Sequence, residues 1–177
     1  MSNLRLIKQT TTDSGVATVN MEDVFSADFD IYKVTMHNTS YDVTNTDVIA
    51  MKARFIDSGG SIISASNYDS ANMHMKAETT KDEDKFQNGA YSYSGAIIGN
   101  YENGGGVHWI YNPFSSSSFT YITQQGAGAH NGEEAGFKGI AVLTEQTSCT
   151  GFNVFLLTSP FFKPFLYAFI LNFLISD

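Results

Sequence analysis

Cysteine, proline and positive charge are scarce in this sequence. Its 177 residues include one cysteine, three prolines and ten lysines or arginines, against eighteen acidic residues, which gives a formal charge of −8. The single cysteine, Cys149, cannot form an internal disulfide, so we expect a small buried or half-buried side chain and no stabilisation for an oxidising compartment. No basic cluster is present to neutralise phosphates, which argues against nucleic-acid binding.

The N-terminal residues also lack the features of an export signal. Within residues 1–9 the apolar stretch is limited to Leu4, Leu6 and Ile7. A secretory signal needs a longer apolar region and a small-residue cleavage site. The sequence therefore predicts that the classical export route is not used.

Aromatic and small residues are abundant instead. The chain holds fourteen Phe, nine Tyr and fifteen Gly. This composition favours short strands joined by tight turns over helices. A chain of this length can bury roughly two thirds of its unfolded surface in a single core, so we expect one all-β domain.

Apolar and polar residues alternate along several segments, which is the pattern of strands that are buried on one face. The strands predicted in this way are 28–38, 48–56, 61–66, 107–111, 119–123, 137–144 and 152–156. On 28–38 we expect Tyr32, Val34 and Met36 to point inward, and on 107–111 Val107, Trp109 and Tyr111. On 48–56 the inward residues are expected to be Ile49, Met51, Ala53 and Phe55.

Turn chemistry joins these strands into predicted hairpins. Gly59-Gly60 is expected to join 48–56 to 61–66, residues 112–118 to join 107–111 to 119–123, and 152–156 to pair with 137–144. The charged segment 76–85 is predicted to be an exposed loop or short helix, and the Gly-rich segment 125–136 a loop. Roughly eight to ten strands at this spacing predict an antiparallel two-sheet sandwich, jelly-roll-like in its layout.

No residue pattern predicts a catalytic, cofactor or metal site. The histidines His37, His74, His108 and His130 are far apart in the sequence and lack the short spacing of local metal sites. Asp28 with Asp30, and the run 82–84, have the oxygen ligands that a hard cation needs, but solvated charges are the commoner use of such acids. Gly104 to Gly106 precede a strand and not a helix, and Ser115 to Ser118 have no neighbouring histidine, so neither a phosphate site nor a nucleophile is predicted.

Aromatic residues supply the one candidate ligand site. Six of them could contribute to it: Tyr91, Tyr93, Tyr101, Trp109, Tyr111 and Tyr121. Aromatic side chains at strand alternation are more often core residues or cross-strand pairs. The alternative is an exposed platform that stacks on sugar rings, for which we select Trp109, Tyr111 and Tyr121.

Beyond residue 157 the amino-acid composition of the sequence changes. Residues 159–175 contain no Gly, one charge, two of the three prolines and five of the fourteen Phe. We therefore predict a β-sandwich domain over 1–157 and a separate apolar tail over 158–177. A transmembrane helix is not expected, because spanning a bilayer takes about 20 apolar residues. Three interpretations remain for the tail: a buried terminal helix or strand, a membrane-associating or partner-docking segment, and a frameshift near codon 158, which the nucleotide sequence would test.

Five short segments of the sequence resemble those of a known class of proteins. They are NLRLIK (residues 3–8), VFSADFDIY (24–32), RFIDSGG (54–60), NPFSSSS (112–118) and TGFNV (150–154). Together they resemble small, mostly uncharacterised structural proteins encoded by marine bacteriophages, over about residues 1–157. In those proteins another polar strand with Gly follows, and here the tail departs from them.

The resemblance implies a virion component, such as a head-decoration or tail-associated β-domain, made in the host cytoplasm and assembled into particles. It implies no enzymatic activity and no cofactor, and it implies other virion proteins and further copies of the chain as partners. The alternative function is a carbohydrate-binding sandwich that uses exposed aromatic residues on a glycan. A metal-dependent hydrolase is the third and weakest hypothesis.

Overall fold

The computed structural model describes residues 4–12, 16–41, 49–76, 81–98, 104–130, 133–156, 166–167 and 169–176, the last two ranges by their backbone. In these residues every regular element is a β-strand. The strands are β1 (Leu4–Thr12), β2 (Thr18–Met21), β3 (Ile31–Tyr41), β4 (Ile49–Asp57), β5 (Tyr68–Lys76), β6 (Asp82–Gly89), β7 (Ser92–Ile98), β8 (Gly104–Tyr111), β9 (Thr120–His130), β10 (Glu133–Leu143), β11 (Cys149–Leu156), β12 (Leu166–Tyr167) and β13 (Phe169–Ser176).

These strands form two antiparallel sheets that pack face to face, which confirms the predicted two-sheet sandwich. The larger sheet has the strand order β1-β13-β3-β8-β9-β10-β5-β6, and the short β12 lies beside β3. The smaller sheet has the order β2-β11-β4-β7. Strand β7 lies against β8, β9 and β10, so the two layers approach each other there.

Aromatic side chains from both sheets fill the core. Tyr68 of the larger sheet is fully buried, as are Phe55 and Phe152 of the smaller one. The ring of Phe55 stacks on Tyr68 with 6.5 Å between centroids and meets Phe152 at 5.5 Å, edge to face. The Tyr68 hydroxyl accepts a hydrogen bond from the Phe55 amide and donates one to the Ile63 carbonyl, both at 3.0 Å. Its polar end is therefore satisfied inside the core.

The predicted facing is confirmed on β3 and wrong on β8. On β3 Tyr32, Val34 and Met36 are buried as expected, and on β4 Met51, Ala53 and Phe55 are buried. The side chain of Ile49 lies outside the described part of the chain. On β8 the buried residues are Gly104, Gly106, His108 and Ile110, whereas Val107, Trp109 and Tyr111 lie on the opposite face. Both faces of β8 carry apolar residues, so alternation alone did not decide its facing. Strand β7 lies close to β8. The face of β8 that carries Gly104 and Gly106 leaves room for this approach, because glycine has no side chain, and it is the inner face.

Two segments that were predicted as loops are strands. Residues 81–85 lead into and form the start of β6, an edge strand, where charged side chains are common because they face solvent. Residues 77–80 lie outside the described residues. In the Gly-rich segment, residues 125–130 and 133–136 form the facing ends of β9 and β10, which pair from His130 with Glu133 to Thr120 with Leu143. Residues 131–132 lie outside the described residues. Hydrogen bonding to a neighbour on each side overrides the low strand propensity of glycine there.

The predicted hairpins have mixed outcomes. The turn at Gly60, whose φ is +81°, is confirmed, but residues 61–66 meet β4 through a single bridge between Ile62 and Ile56 instead of a strand ladder. The hairpin from β8 to β9 is confirmed, with Tyr111 opposite Tyr121. Pairing of 152–156 with 137–144 is wrong, because β11 pairs with β2 and β4 in the smaller sheet.

The backbone of the tail takes part in the larger sheet. Strand β13 pairs antiparallel with β1 on one side and with β3 on the other. Phe173, for example, is the register partner of both Lys8 and Val34. The domain boundary at residue 157 and the frameshift hypothesis stay predictions.

Candidate functional site

The outer face of the larger sheet, which points away from the smaller sheet, is a shallow groove. One register row across it runs Trp109, Thr123, Ile140, Ala71 and Lys85, from β8 to β6. Two adjoining cavities of about 510 and 720 Å³ share the last four of these residues. A third cavity of about 560 Å³ lies toward the β3 side of the same face. We call this surface the outer groove.

The structure brings the three selected aromatic residues together on this face. Trp109 lines the first cavity and Tyr121 the second. Tyr111 is directly opposite Tyr121 on the neighbouring strand, and its hydroxyl lies 3.4 Å from the Thr123 hydroxyl. Tyr121 is 49% exposed, and Trp109 and Tyr111 are half-buried. Tyr121 is thus the ring that offers most surface to a ligand.

Charged groups border the outer groove. The Lys33 ammonium lies 5.4 Å from the centre of the Trp109 ring, where the electron-rich ring face stabilises it. Lys85 and Lys138 line the first cavity together with Glu83. The groove therefore combines apolar walls with ammonium and carboxylate groups, a mixture that fits a polar ligand with apolar faces.

Two of the other aromatic residues form a separate cluster at the side of the sandwich. The Lys52 ammonium lies 3.4 Å from the centre of the Tyr93 ring and 5.0 Å from that of Tyr91. Burial lowers the pKa of Lys52 to about 8, although the nearby Asp84 carboxylate opposes this change. Burial, with Asp84 and Tyr91 beside it, raises the pKa of Tyr93. Tyr101 lies outside the described residues.

The inner face of the larger sheet holds a row of polar side chains that the sequence analysis missed. Asn72, Gly139, Gln124 and His108 are successive register partners from β5 to β8. The Gln124 amide donates to Asn72 Oδ1 at 3.0 Å across Gly139, which has no side chain to block it. Asn72 in turn donates to Ser70 Oγ at 3.1 Å. We call these residues the inner polar row.

His108 is the last residue of the inner polar row, and it is fully buried. Its Nε2–H donates to the Ser94 carbonyl oxygen, which fixes the tautomer and leaves Nδ1 without a hydrogen. Burial lowers the pKa of His108 to about 4, partly offset by that hydrogen bond, so the ring is neutral at pH 7. At the other end of the sheet, His74 Nε2 lies 3.2 Å from an oxygen of Asp84. Polar residues at inward positions of a strand pattern were the available signal.

The remaining candidates form no common site. In the described part of the chain no group of three or more His, Cys, Asp or Glu could hold a metal ion. Asp28 accepts a hydrogen bond from Ser26 in the turn before β3 instead of lying on a strand face beside Asp30. Cys149 is buried as predicted, and burial raises the pKa of its thiol to about 12. A thiol in that state is protonated and unreactive at pH 7.

The described ranges contain no helix long and apolar enough to cross a bilayer. The outer groove offers a concave surface to a ligand. It brings no nucleophile and base together among the residues selected from the sequence.

Comparison with known proteins finds little. No protein-family model matches the chain, and no curated protein matches it. Among solved structures it is similar to the alginate lyase A1-II' of polysaccharide lyase family 7, at 11% identity over 90% of this chain and 65% of that one, with a TM-score of 0.27. A substrate complex of a variant of that lyase gives 10% identity, 84% and 61% coverage and the same TM-score of 0.27. The chain spans less than two thirds of the length of these lyases, and likeness at this level assigns neither a family nor an activity.

Proposed function

We propose that the protein is a non-enzymatic structural component of a bacteriophage virion that works through protein–protein contacts. The observation that carries the proposal is the exposed apolar surface on the outer face of the larger sheet. Ile140 of β10 is 59% exposed, Tyr121 of β9 49% and Ile31 of β3 44%. They lie on one face, and Tyr111 of β8 stands between Ile31 and Tyr121. Several large apolar side chains exposed on one face are typical of a protein interaction site.

The resemblance to marine phage structural proteins supports the same function. Two reactive residues agree with it, since Cys149 and His108 are buried and burial favours their neutral forms. Neither group is available as a nucleophile or a proton carrier at the surface. The proposed location is the virion, after synthesis in the host cytoplasm, with other virion proteins as partners.

Mass spectrometry of purified phage particles tests this proposal. We expect peptides of this chain at an abundance that matches a repeated component. Replacing the central apolar residue, Ile140→Glu, should reduce incorporation into particles without unfolding the protein, because the side chain is exposed. Ser116→Glu, an exposed change in the β8–β9 turn, is the matched control. Particles that contain no peptide of this chain would refute the proposal.

A carbohydrate-binding function is the second candidate, and the outer groove favours it. Trp109 and Tyr121 line the groove, together with Lys85, Lys138 and Gln125, and Tyr111 lies beside Tyr121 on the neighbouring strand. Aromatic rings that stack on the apolar faces of sugars, with amides and charges at the hydroxyls, are a common arrangement for glycan binding.

A glycan array followed by titration calorimetry tests this second function. We expect Tyr121→Ala and Trp109→Ala each to weaken binding of a bound glycan about tenfold, as loss of one ring contact implies. Phe119→Ala is the control, because Phe119 is also exposed but lies in the turn before β9 and does not line the cavities. Equal binding by all three variants, with circular dichroism showing them folded, would exclude the outer groove as the glycan site.

A further inference from the structure

The larger sheet ends in two strands that have a neighbour on one side. Strand β1 pairs with β13 and β6 pairs with β5, and within the described ranges neither has a second partner. Such edges present backbone N–H and C=O groups that can add another strand. Proteins usually blunt them with charge, because like charges keep the edges of separate copies apart.

The charges on these two edges have opposite sign. The ionisable residues of β1 are Arg5 and Lys8, both exposed, although the whole chain has only ten basic residues. Strand β6 begins Asp82-Glu83-Asp84-Lys85, three acids and one lysine. Like-charged edges repel, whereas an acidic edge and a basic edge attract.

The two cations of β1 are held near the edge without a carboxylate partner in the described chain. Lys8 Nζ donates to the Glu22 carbonyl at 2.7 Å, and the Arg5 guanidinium lies 5.5 Å from the centre of the Phe29 ring. Neither contact neutralises the positive charge. Both groups remain available to a carboxylate of another molecule.

Strand direction also fits a continued sheet. Every neighbouring pair from β1 to β6 along the larger sheet is antiparallel. Directions therefore alternate across the eight strands of this path, and β1 and β6 run opposite ways. A second copy placed beside the first in the same orientation would bring its β1 antiparallel to β6 and continue the alternation.

We propose that copies of this chain associate head to tail, with the basic β1 edge of one copy paired to the acidic β6 edge of the next. The contact is heterologous, so it builds a ring or a filament and not a two-fold dimer. Two-fold pairing of β6 with β6, or of β1 with β1, would bring like charges together. The inference deepens the proposed virion function, since a repeated component needs a contact between copies.

Charge reversal on each edge, followed by mixing, tests the contact by sedimentation velocity. Arg5→Glu/Lys8→Glu makes both edges acidic and is called the acidic-edge variant. Asp82→Lys/Glu83→Lys makes both edges basic and is called the basic-edge variant. We expect the wild type to associate with rising concentration and less so at high salt, because exposed charges are screened. Each variant alone should associate at least about tenfold more weakly, as reversal of two rim charges implies. An equimolar mixture should recover wild-type association, because each acidic edge again meets a basic one.

Ser116→Glu/Ser117→Glu is the control, since it adds two negative charges at exposed positions of the β8–β9 turn, outside both edge strands and the outer groove. It should associate like the wild type, and thermal unfolding should show every variant folded. A wild type that stays monomeric at all concentrations, or a mixture that recovers nothing, overturns the head-to-tail contact. These results are independent of particle mass spectrometry: absence from virions with association intact refutes the virion function alone.

Discussion

Deletion of residues 158–177 is expected to abolish cooperative folding of the protein. The deletion removes β13, which lies between β1 and β3 and pairs with both. Each lost backbone hydrogen bond contributes about 0.5–1.5 kcal/mol, so two lost ladders approach the total stability of a domain, about 5–15 kcal/mol. The shortened chain should accumulate as insoluble material or show no thermal transition by circular dichroism.

Two further variants test whether the loss of stability comes from strand β13 or only from a shorter chain. Removal of Asp177 alone, the residue after β13, should leave the transition unchanged. Asn172→Pro should destabilise the protein strongly, because Asn172 pairs with Gln9 and Thr35 and proline cannot donate to a ladder. A truncated chain that unfolds at the wild-type midpoint would show that the sheet does not need β13.

Gly139→Ala is expected to cost about 3 kcal/mol or more, in the range of overpacking combined with a broken buried hydrogen bond. A Cβ at this position would lie 2.0 Å from Asn72 Oδ1 and 3.0 Å from the Ala71 carbonyl oxygen. Asn72 would have to move away from Gln124, and two buried amides would lose their shared hydrogen bond. Chemical denaturation should show a lower midpoint with an unchanged slope.

Gly136→Ala is the control for this prediction, because it lies on the same strand and its Cβ would meet only the flexible end of Met75, at 3.2 Å. We expect it to cost less than 1 kcal/mol or so. The double variant Gly139→Ala/Asn72→Ala should recover part of the loss, since the closest contact is then gone. Equal stability of the Gly139 and Gly136 variants would show that the hydrogen bond between Gln124 and Asn72 does not require a glycine at position 139.

The fold class could be predicted from the sequence because local signals were strong. Alternation around Tyr32 and Phe55, and the positive φ required at Gly60, are properties of a few adjacent residues. Pairing partners were harder to predict. β11 joins β2 and β4 in the smaller sheet, and nothing in its own residues distinguishes these neighbours from β10.

The candidate site was predicted in part. Trp109, Tyr111 and Tyr121 do lie on one surface, because consecutive strands of a hairpin keep their alternating residues on a common face. Their outward direction was not predictable, since it depends on the close approach of β7 on the other side. The inner polar row was missed for a related reason. Asn72 and Gln124 satisfy each other only across a glycine on the strand between them, and that relation exists only once the register is known.

The position of β13 has a consequence for how the protein is made. Strands β1 and β3 leave the ribosome early, whereas the strand that joins them is complete only when residue 176 has been added. At ordinary rates of synthesis the interval is on the order of ten seconds. Until then β1 and β3 lack the strand that pairs with both, and β13 of a neighbouring copy carries the same pairing residues as the chain's own. Slow translation or crowded ribosomes on one message would therefore favour exchange of this strand between copies.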